Sequence, residues 1–291
     1  MGELDEAAAV FQGVRPRLFG IAYRMLGSVG EAEDLVQDVW LRWQGADRGV
    51  VENPAAFLAT TATRLAINAL RSARARRETY VGPWLPEPVD TSADPFLGAE
   101  RGEALELAVL LLMEKLTPQE RAAYVLREAF DYPYGQIALI LNATEPAVRQ
   151  LVSRARRHVA GDRKAPVPEA AQRKLLATFL DAARGGDLAA LEEMFAADVA
   201  SISDGDGARN VARKEVVGAA RVAKFIAAFS SWYWDGVTLE WITANGRPGA
   251  VMRRGDALLG LVTLTASADG IDQLLWQLNT SKLGAVAGGR A

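Results

Sequence analysis

The stretch Tyr134-Gly135-Gln136-Ile137-Ala138-Leu139-Ile140-Leu141-Asn142-Ala143-Thr144-Glu145-Pro146-Ala147-Val148-Arg149-Gln150-Leu151-Val152-Ser153-Arg154-Ala155-Arg156-Arg157-His158-Val159 decides how the first half of this chain is read. Tyr134 to Leu141 and Glu145 to Val159 carry helical apolar periodicity, and Asn142-Ala143-Thr144 separates them with Thr144 as a good N-cap. This spacing predicts a helix-turn-helix. In the second helix Val148, Leu151, Val152 and Ala155 share one face, while Arg149, Ser153, Arg156 and Arg157 share the opposite one at i, i+4, i+7 and i+8. An apolar back with a basic front suits a helix that lies in the major groove of DNA. Glu145, Arg149, Gln150 and Ser153 are the candidates for base edges, and Arg154, Arg156 and Arg157 for phosphates.

Upstream, Thr117-Pro118-Gln119-Glu120 combines an N-cap, a first-turn proline and a capping glutamate, and helical patterning is expected to resume near Ala99. Before it, Gly82-Pro83-Trp84-Leu85-Pro86-Glu87-Pro88 forbids a regular helix and predicts an extended linker. Nearer the start, Leu18, Ile21, Ala22, Met25 and Leu26 form one helical face, Gly27 ends that helix, and Ser28 with Glu31 opens the next. In this second helix Leu35, Val39 and Trp43 turn inward and Glu31, Asp34 and Asp38 form an acidic stripe. A third helix starts at Asn53-Pro54 and ends in Arg71, Arg74, Arg76 and Arg77. Patterning alone leaves the stripe and these arginines open between a solvated face and a binding surface.

The net charge of the 291 residues is minus 3, so a nucleic-acid binder must concentrate its positive charge locally. Asn53 to Arg77 holds five arginines and no acid, and Ala147 to Gly161 holds four and no acid. The chain has no cysteine, which excludes disulfides, thiolate metal sites and cysteine nucleophiles. Met1 to Val10 lacks the pattern of a secretory signal and no apolar run is long enough for a bilayer, so a cytoplasmic location without membrane contact is expected.

After Ala165-Pro166-Val167-Pro168 the character changes. Helices are expected over Glu169 to Arg184, Leu188 to Phe195 and Gly218 to Phe229, followed by strands over Val237 to Thr243, Ala250 to Arg253, Leu258 to Thr265 and Ile271 to Leu278. Asn245-Gly246 and Asp269-Gly270 are turns between them, so a compact α+β domain is expected. Trp232-Tyr233-Trp234 and Trp241 are read as core packing ahead of a ligand pocket. Asp204-Gly205-Asp206-Gly207 is an acidic turn that lacks the spaced ligands of a calcium loop.

Several of these segments resemble the extracytoplasmic-function sigma factors of bacterial RNA polymerase. Gly27 to Trp40 looks like sigma region two where it docks on the coiled coil of the largest polymerase subunit, and Asn53 to Glu78 resembles the part that melts and holds the minus-ten element. Thr117 to Val159 is similar to region four, which reads the minus-thirty-five element. The resemblance implies that Asp34, Gln37 and Asp38 contact polymerase and that Arg64, Asn68, Arg71 and Arg74 contact the minus-ten DNA. Trp84-Leu85-Pro86-Glu87-Pro88 resembles a linker signature of the subgroup that carries a C-terminal SnoaL-like extension. In that subgroup the extension bears an Asp-Gly-Gly-Gly-Lys-like and an Asn-Pro-Asp-Lys-Leu-like motif. The chain has Asp204, Gly205, Asp206, Gly207 and Ala208 at the first, and Asn279, Thr280, Ser281, Lys282 and Leu283 at the second. Ala208 stands where lysine is expected. The resemblance implies that these motifs pack against the sigma domains and linker and tune promoter activity in place of a separate anti-sigma protein, which is not expected.

The expected architecture is therefore multidomain: two all-α helical domains, the second with the helix-turn-helix, followed by an α+β SnoaL-like domain with a curved, mainly antiparallel sheet. Region two is placed at 1–80, the linker at 81–98, region four at 99–164 and the extension at 165–291. The expected function is that of a sigma factor, partnered by RNA polymerase core and promoter DNA, without cofactor, metal or catalytic residues; whether the extension binds a small molecule is open. A stand-alone, ligand-responsive helix-turn-helix regulator is the alternative, and a SnoaL-like isomerase or hydrolase the second. The only histidine, His158, falls in the DNA-reading helix, which removes histidine acid-base chemistry from the extension.

Overall fold

The computed structural model describes residues 3–92, 105–161 and 164–287; the expected helical restart near Ala99 lies outside them. Contacts divide the described chain into two units, one of residues 3–78 with 105–161 and one of residues 79–92 with 164–287. The proline-rich segment thus belongs to the second unit, and the two expected helical domains together make the first.

In the first unit α1 (Glu3–Leu26) packs on α2 (Val29–Gln44) and α3 (Pro54–Glu78). Gly27 takes a left-handed φ of 68° to end α1, and the Ser28 hydroxyl accepts the Glu31 N–H at 3.3 Å to open α2. The shared core is Leu18, Ile21, Met25, Leu58, Ala62 and Leu70, all fully buried. Trp43 lies among them with its indole N–H donated to the Ala7 carbonyl at 3.0 Å. The second bundle contains α4 (Leu107–Met113), α5 (Pro118–Tyr124) running into a π-helical turn at Val125–Ala129, α6 (Tyr134–Leu141) and α7 (Glu145–Gly161). Thr117 and Glu120 cap α5 reciprocally. Asn142 has a φ of 51°, and the Ala143 N–H returns to the Ala138 carbonyl at 2.9 Å, so the turn closes α6 before Thr144 starts α7.

Arginines join the two bundles. Arg121 of α5 is fully buried; its Nε donates to the Arg24 carbonyl of α1 at 2.9 Å and its Nη1 to the Glu114 carboxylate. Arg77 of α3 pairs with the same carboxylate and donates to the Leu26 carbonyl. Arg24, also fully buried, lies over the Phe130 ring at 5.1 Å, and Arg17 lies over Tyr132 at 4.9 Å. Burial pushes the Glu114 carboxyl up, but Arg121 and Arg77 overcome it and hold it below its ordinary value. A carboxyl depressed in the fold stabilises above its unfolded pKa, and that stability is lost as pH falls through the folded one.

The second unit is a six-stranded sheet in the order β2-β1-β6-β5-β4-β3, with β1 (Phe195–Asp204), β2 (Val216–Val217), β3 (Val237–Ala244), β4 (Arg247–Arg254), β5 (Ala257–Ser267) and β6 (Gly270–Gln277). Only β1 and β6 pair in parallel; the other neighbours are antiparallel. On one face α8 (Glu169–Gly185), α9 (Leu188–Met194) and α10 (Ala219–Ala227) bury Leu176, Phe179, Leu180, Val222 and Ile226 against Met252, Leu264 and Leu274. On the other, Leu283 and Val286 from the last turns cover Ile242, Val251 and Leu261. The expected strands correspond to β3 to β6; β1 and β2 are added by the structure. Residues 199–204 of β1 are buried on both faces, which removes the alternation that marks a half-exposed strand.

Glu114→Gln is expected to destabilise the protein at pH 7 by about 3 kcal/mol, because two arginines lose their shared counter-charge. In denaturant melts the gap to the unsubstituted chain should shrink as pH falls below the ordinary glutamate range, where the native carboxyl in its turn takes up its proton.

Candidate nucleic-acid interface and the buried Asp204 site

Helix α7 is positioned by Val148, Val152, Ala155 and Val159, all buried, each contributing roughly 1–3 kcal/mol in removing apolar surface from water. Leu151 is only half-buried. The opposite face presents Glu145, Arg149, Gln150, Ser153, Arg154, Arg156 and Arg157, all exposed. Arg149 pairs with Glu145 one turn away and lies over the Tyr134 ring of α6 at 4.4 Å. Arg156 reaches Glu128 at 2.8 Å and Arg154 reaches Glu120 at 3.7 Å. The exposed Arg149–Glu145 pair contributes little and exchanges readily for other anions, whereas the Glu120 carboxylate that Arg154 reaches is buried in the Thr117 cap.

On α3, Asn68 and Arg71 are exposed, but Arg64 and Arg74 are engaged within the unit. Arg64 Nε donates to the Ile140 carbonyl at 3.0 Å and its Nη2 to the Leu139 carbonyl at 3.3 Å, at the C-terminal end of α6. Arg74 Nη2 donates to the Glu114 carbonyl at 3.2 Å and to that of Leu116, just beyond α4. Both guanidinium groups therefore serve carbonyls that helix ends leave without intrahelical partners. The acidic residues Asp34 and Asp38, with Gln37, are exposed on α2, and Asp34 and Gln37 line a groove beside α1 with Phe11, Gln12 and Trp40.

In the second unit the sequence motifs converge on one carboxylate. Asp204, at the end of β1, is fully buried. Its Oδ1 accepts the Tyr80 hydroxyl at 2.5 Å, and its Oδ2 accepts the Leu85 N–H at 2.8 Å and Lys282 Nζ at 2.7 Å. Lys282 also donates to the Leu85 carbonyl at 3.0 Å, and its ammonium lies 4.8 and 4.5 Å from the ring centres of Tyr80 and Trp84. Asn279 Nδ2 donates to the Tyr80 hydroxyl at 3.0 Å. Burial, with the bond to Asp204, pushes that hydroxyl well above its ordinary pKa. Gly205 to Ala208 close a turn whose central residues, Asp206 at 46° and Gly207 at 76°, are both left-handed. Ala208 is exposed; the cation on Asp204 comes from Lys282.

The contact extends along the proline-rich segment. Gln277 donates to the Pro86 carbonyl at 3.3 Å, Val89 and Asn245 exchange hydrogen bonds at 2.9 Å, and Asp90 bridges Ala244 at the edge of β3. Leu85, Pro86, Pro88 and Val89 are buried, and Glu87 is half-buried. Leu283 is buried in the second core cluster. Sequence reasoning missed Tyr80, Gln277 and Asn245. The signal available for Asn245 was its place in an Asn-Gly turn, where a buried side-chain amide is free to face a neighbouring backbone; for Tyr80 and Gln277 there was none. Trp232 and Trp241 are exposed rather than buried, whereas Tyr233 and Trp234 pack against the core.

Among the described residues no group of His, Cys, Asp and Glu side chains is arranged to hold a metal ion, and no helix is long and apolar enough to cross a membrane. The Sigma-70 region 2 family model matches residues 10–76 and the Sigma-70 region 4 model matches residues 106–159. The chain is similar to the ECF RNA polymerase sigma factor SigJ of Mycobacterium tuberculosis H37Rv, 36% identical over 82% of this chain and 79% of that one. It is also similar to the probable sigma factor SigI of the same species, 32% identical over 94% and 93%. The crystal structure of SigJ superimposes with a TM-score of 0.77 at 30% identity, covering 96% of this chain and 98% of that one. A helix-turn-helix unit joined to a second helical bundle of this kind defines a sigma-70-type transcription initiation factor. The chain belongs to the extracytoplasmic-function sigma factors, and it directs RNA polymerase to promoters, with a SnoaL-like C-terminal domain of mixed sheet.

Lys282→Met is expected to cost about 3 kcal/mol of stability, since it leaves a fully buried carboxylate without its counter-charge. The same substitution in an Asp204→Asn background should cost much less, and denaturant unfolding of the four proteins measures the difference as a coupling energy.

Proposed function

We propose that the C-terminal domain regulates this sigma factor through the linker, which it holds by Asp204. The observation that carries the proposal is that a fully buried carboxylate binds Tyr80, Leu85 and Lys282 at once, so the linker is part of the C-terminal fold. A linker so held has its length and direction fixed, and these set how region two and region four reach two promoter elements together.

On this reading region four uses Arg149 with Glu145, Gln150 and Ser153 for base edges, and Arg154, Arg156 and Arg157 for phosphates. Region two docks on core polymerase through Asp34, Gln37 and Asp38 and holds the minus-ten element with Arg64, Asn68, Arg71 and Arg74. Arg64 and Arg74 reach DNA only after leaving the carbonyls of Leu139, Ile140, Glu114 and Leu116, so promoter engagement opens the first unit. The protein works in the cytoplasm by binding, without cofactor or covalent chemistry. In support, an apolar pocket of the C-terminal domain lined by Phe225, Phe229, Tyr233 and Trp276 has no acidic, basic or histidine side chain in its lining, and burial pushes its Tyr233 hydroxyl up to about 12.

Run-off transcription with purified core enzyme on a pool of genomic promoters tests the proposal. The chain ending at Ala165 should keep its affinity for core enzyme and change its promoter output, because Leu85, Pro86 and Val89 lose the surface that buries them. Output equal to that of the full chain removes the regulatory role. Arg149→Ala should weaken recognition of the upstream element by about 1–3 kcal/mol, read as a loss of discrimination between cognate and scrambled sequences.

A further inference from the structure

Tyr134 opens α6 but stays out of the buried face that Ile137, Ala138 and Ile140 give that helix. Its half-buried ring meets two guanidinium groups: Arg149 of α7 lies over it with Cζ 4.4 Å from the ring centre, and Arg127 with Cζ at 5.0 Å. Arg127 is anchored on the chain just before α6. Its Nη1 donates to the Tyr132 carbonyl at 3.0 Å and pairs with Asp131 at 3.3 Å. Pro133, with a φ of −60° and a ψ of 145°, sets the entry into the helix. The ring is therefore placed by its own backbone and by one cation, and the second cation rests on it.

Arg149 is the cation of the two that faces solvent, its side chain 58% exposed. An unrestrained arginine on such a surface samples many rotamers, and ordering it on DNA costs conformational entropy. Two contacts restrain it. Glu145 pairs with it one turn away, and the Glu145 carboxylate in turn lies beside Gly135, where an added Cβ would meet Oε2 at 3.5 Å. The ion pair is exposed, screened by salt and open to exchange for a phosphate. The ring contact differs, because it engages the face of the guanidinium whereas the N–H donors lie in its plane. An arginine resting on a ring keeps its fork free for a base edge.

We infer that Tyr134 is a positioning residue for base readout: its ring holds the Arg149 guanidinium in the conformation from which the fork meets O6 and N7 of a guanine. The inference rests on the base-reading role proposed for Arg149. The effect is one of specificity. Tyr134 serves one base contact, and the phosphate contacts assigned to Arg154, Arg156 and Arg157 come from other side chains. Loss of the ring should therefore lower the preference for guanine at one position and leave the salt dependence of binding as it is.

The test uses holoenzyme assembled from core polymerase and the full chain, with a duplex carrying the promoter that it transcribes most strongly from a genomic pool. Binding is measured with all four bases at each position of the upstream element. Arg149→Ala should lose the preference for guanine at one position. Tyr134→Leu should lower that same preference by about two- to fivefold, the factor that an exposed cation–ring contact supplies. Tyr134→Phe, which retains the ring, should keep the preference, and the slope of affinity against salt should be the same in all three Tyr134 proteins. The free full chain gives a measurement that needs no substitution: an upfield ring-current shift of the Arg149 δ-methylene protons. Undiminished preference in a folded Tyr134→Leu protein, an equal loss in Tyr134→Phe, a shallower salt slope or an absent ring-current shift overturns the positioning role. Arg149→Ala holoenzyme with every base preference intact overturns instead the base-reading role on which it rests.

Discussion

The C-terminal domain depends on the solvation of one ion. An aspartate carboxylate taken fully out of water loses several kcal/mol of hydration unless charge and hydrogen bonds replace it. Asp204 obtains them from three groups on two segments: the Tyr80 phenol and the Leu85 amide at the linker, and the Lys282 ammonium after β6. Buried Leu85 and Val89 of the linker and Leu283 and Val286 of the final turns add apolar contacts to this polar hold. The carboxylate ties the two segments to each other, because it takes its donors from both. Lys282 is in turn flanked by Tyr80 and Trp84, so the aromatic residues of the linker stabilise the cation as well as excluding water from it.

Arginine does the corresponding work in the first unit, with a different consequence. Its planar fork donates in several directions at once and stays charged at every relevant pH, which lets Arg64, Arg74, Arg77 and Arg121 serve backbone carbonyls at the ends of helices. The same properties make arginine the residue that holds phosphates. Contacts from a charged donor to a carbonyl are worth about 1.5–3 kcal/mol each, comparable to what a backbone phosphate offers. Glu114 differs from the carbonyls, because it is a half-buried anion that gives Arg77 and Arg121 a shared counter-charge.

The first unit was legible in the sequence wherever local rules decide the outcome. The boundaries of α6 and α7, the left-handed Asn142, the reciprocal cap at Thr117 and Glu120, and the end of α1 at Gly27 follow from periodicity, caps and turn residues that act over a few positions. Strand β1 was not legible, since an interior strand of small residues buried on both faces shows no alternation. Nor was it legible that Arg64 and Arg74 meet carbonyls some 40 to 76 residues away; such pairings are set by packing between bundles, which has no signature in either helix. Among the Asp204 contacts, the motif residues were visible as resemblances, but their convergence on one atom pair was not. The proline-rich segment read as a linker because prolines forbid helix, yet the same prolines leave it extended, the form in which it lies along the edge of β3.

Two of the departures from the family motifs, at Asp206 and Ala208, have physical readings that do not require the motif to have lost its purpose; nothing in the structure explains Thr280-Ser281 in place of Pro-Asp. Asp206 replaces a glycine at a left-handed position, where aspartate is among the side chains that tolerate such a φ, so the turn survives. Ala208 replaces a lysine, yet the carboxylate that a lysine there would serve already has an ammonium, delivered by Lys282 from the second motif. Because a buried carboxylate needs one compensating cation and not two, a second lysine would have to stay in solvent or raise the local charge above neutrality. In this chain the charges at Asp204 balance, one carboxylate against one ammonium, and Lys282 of the second motif supplies the ammonium.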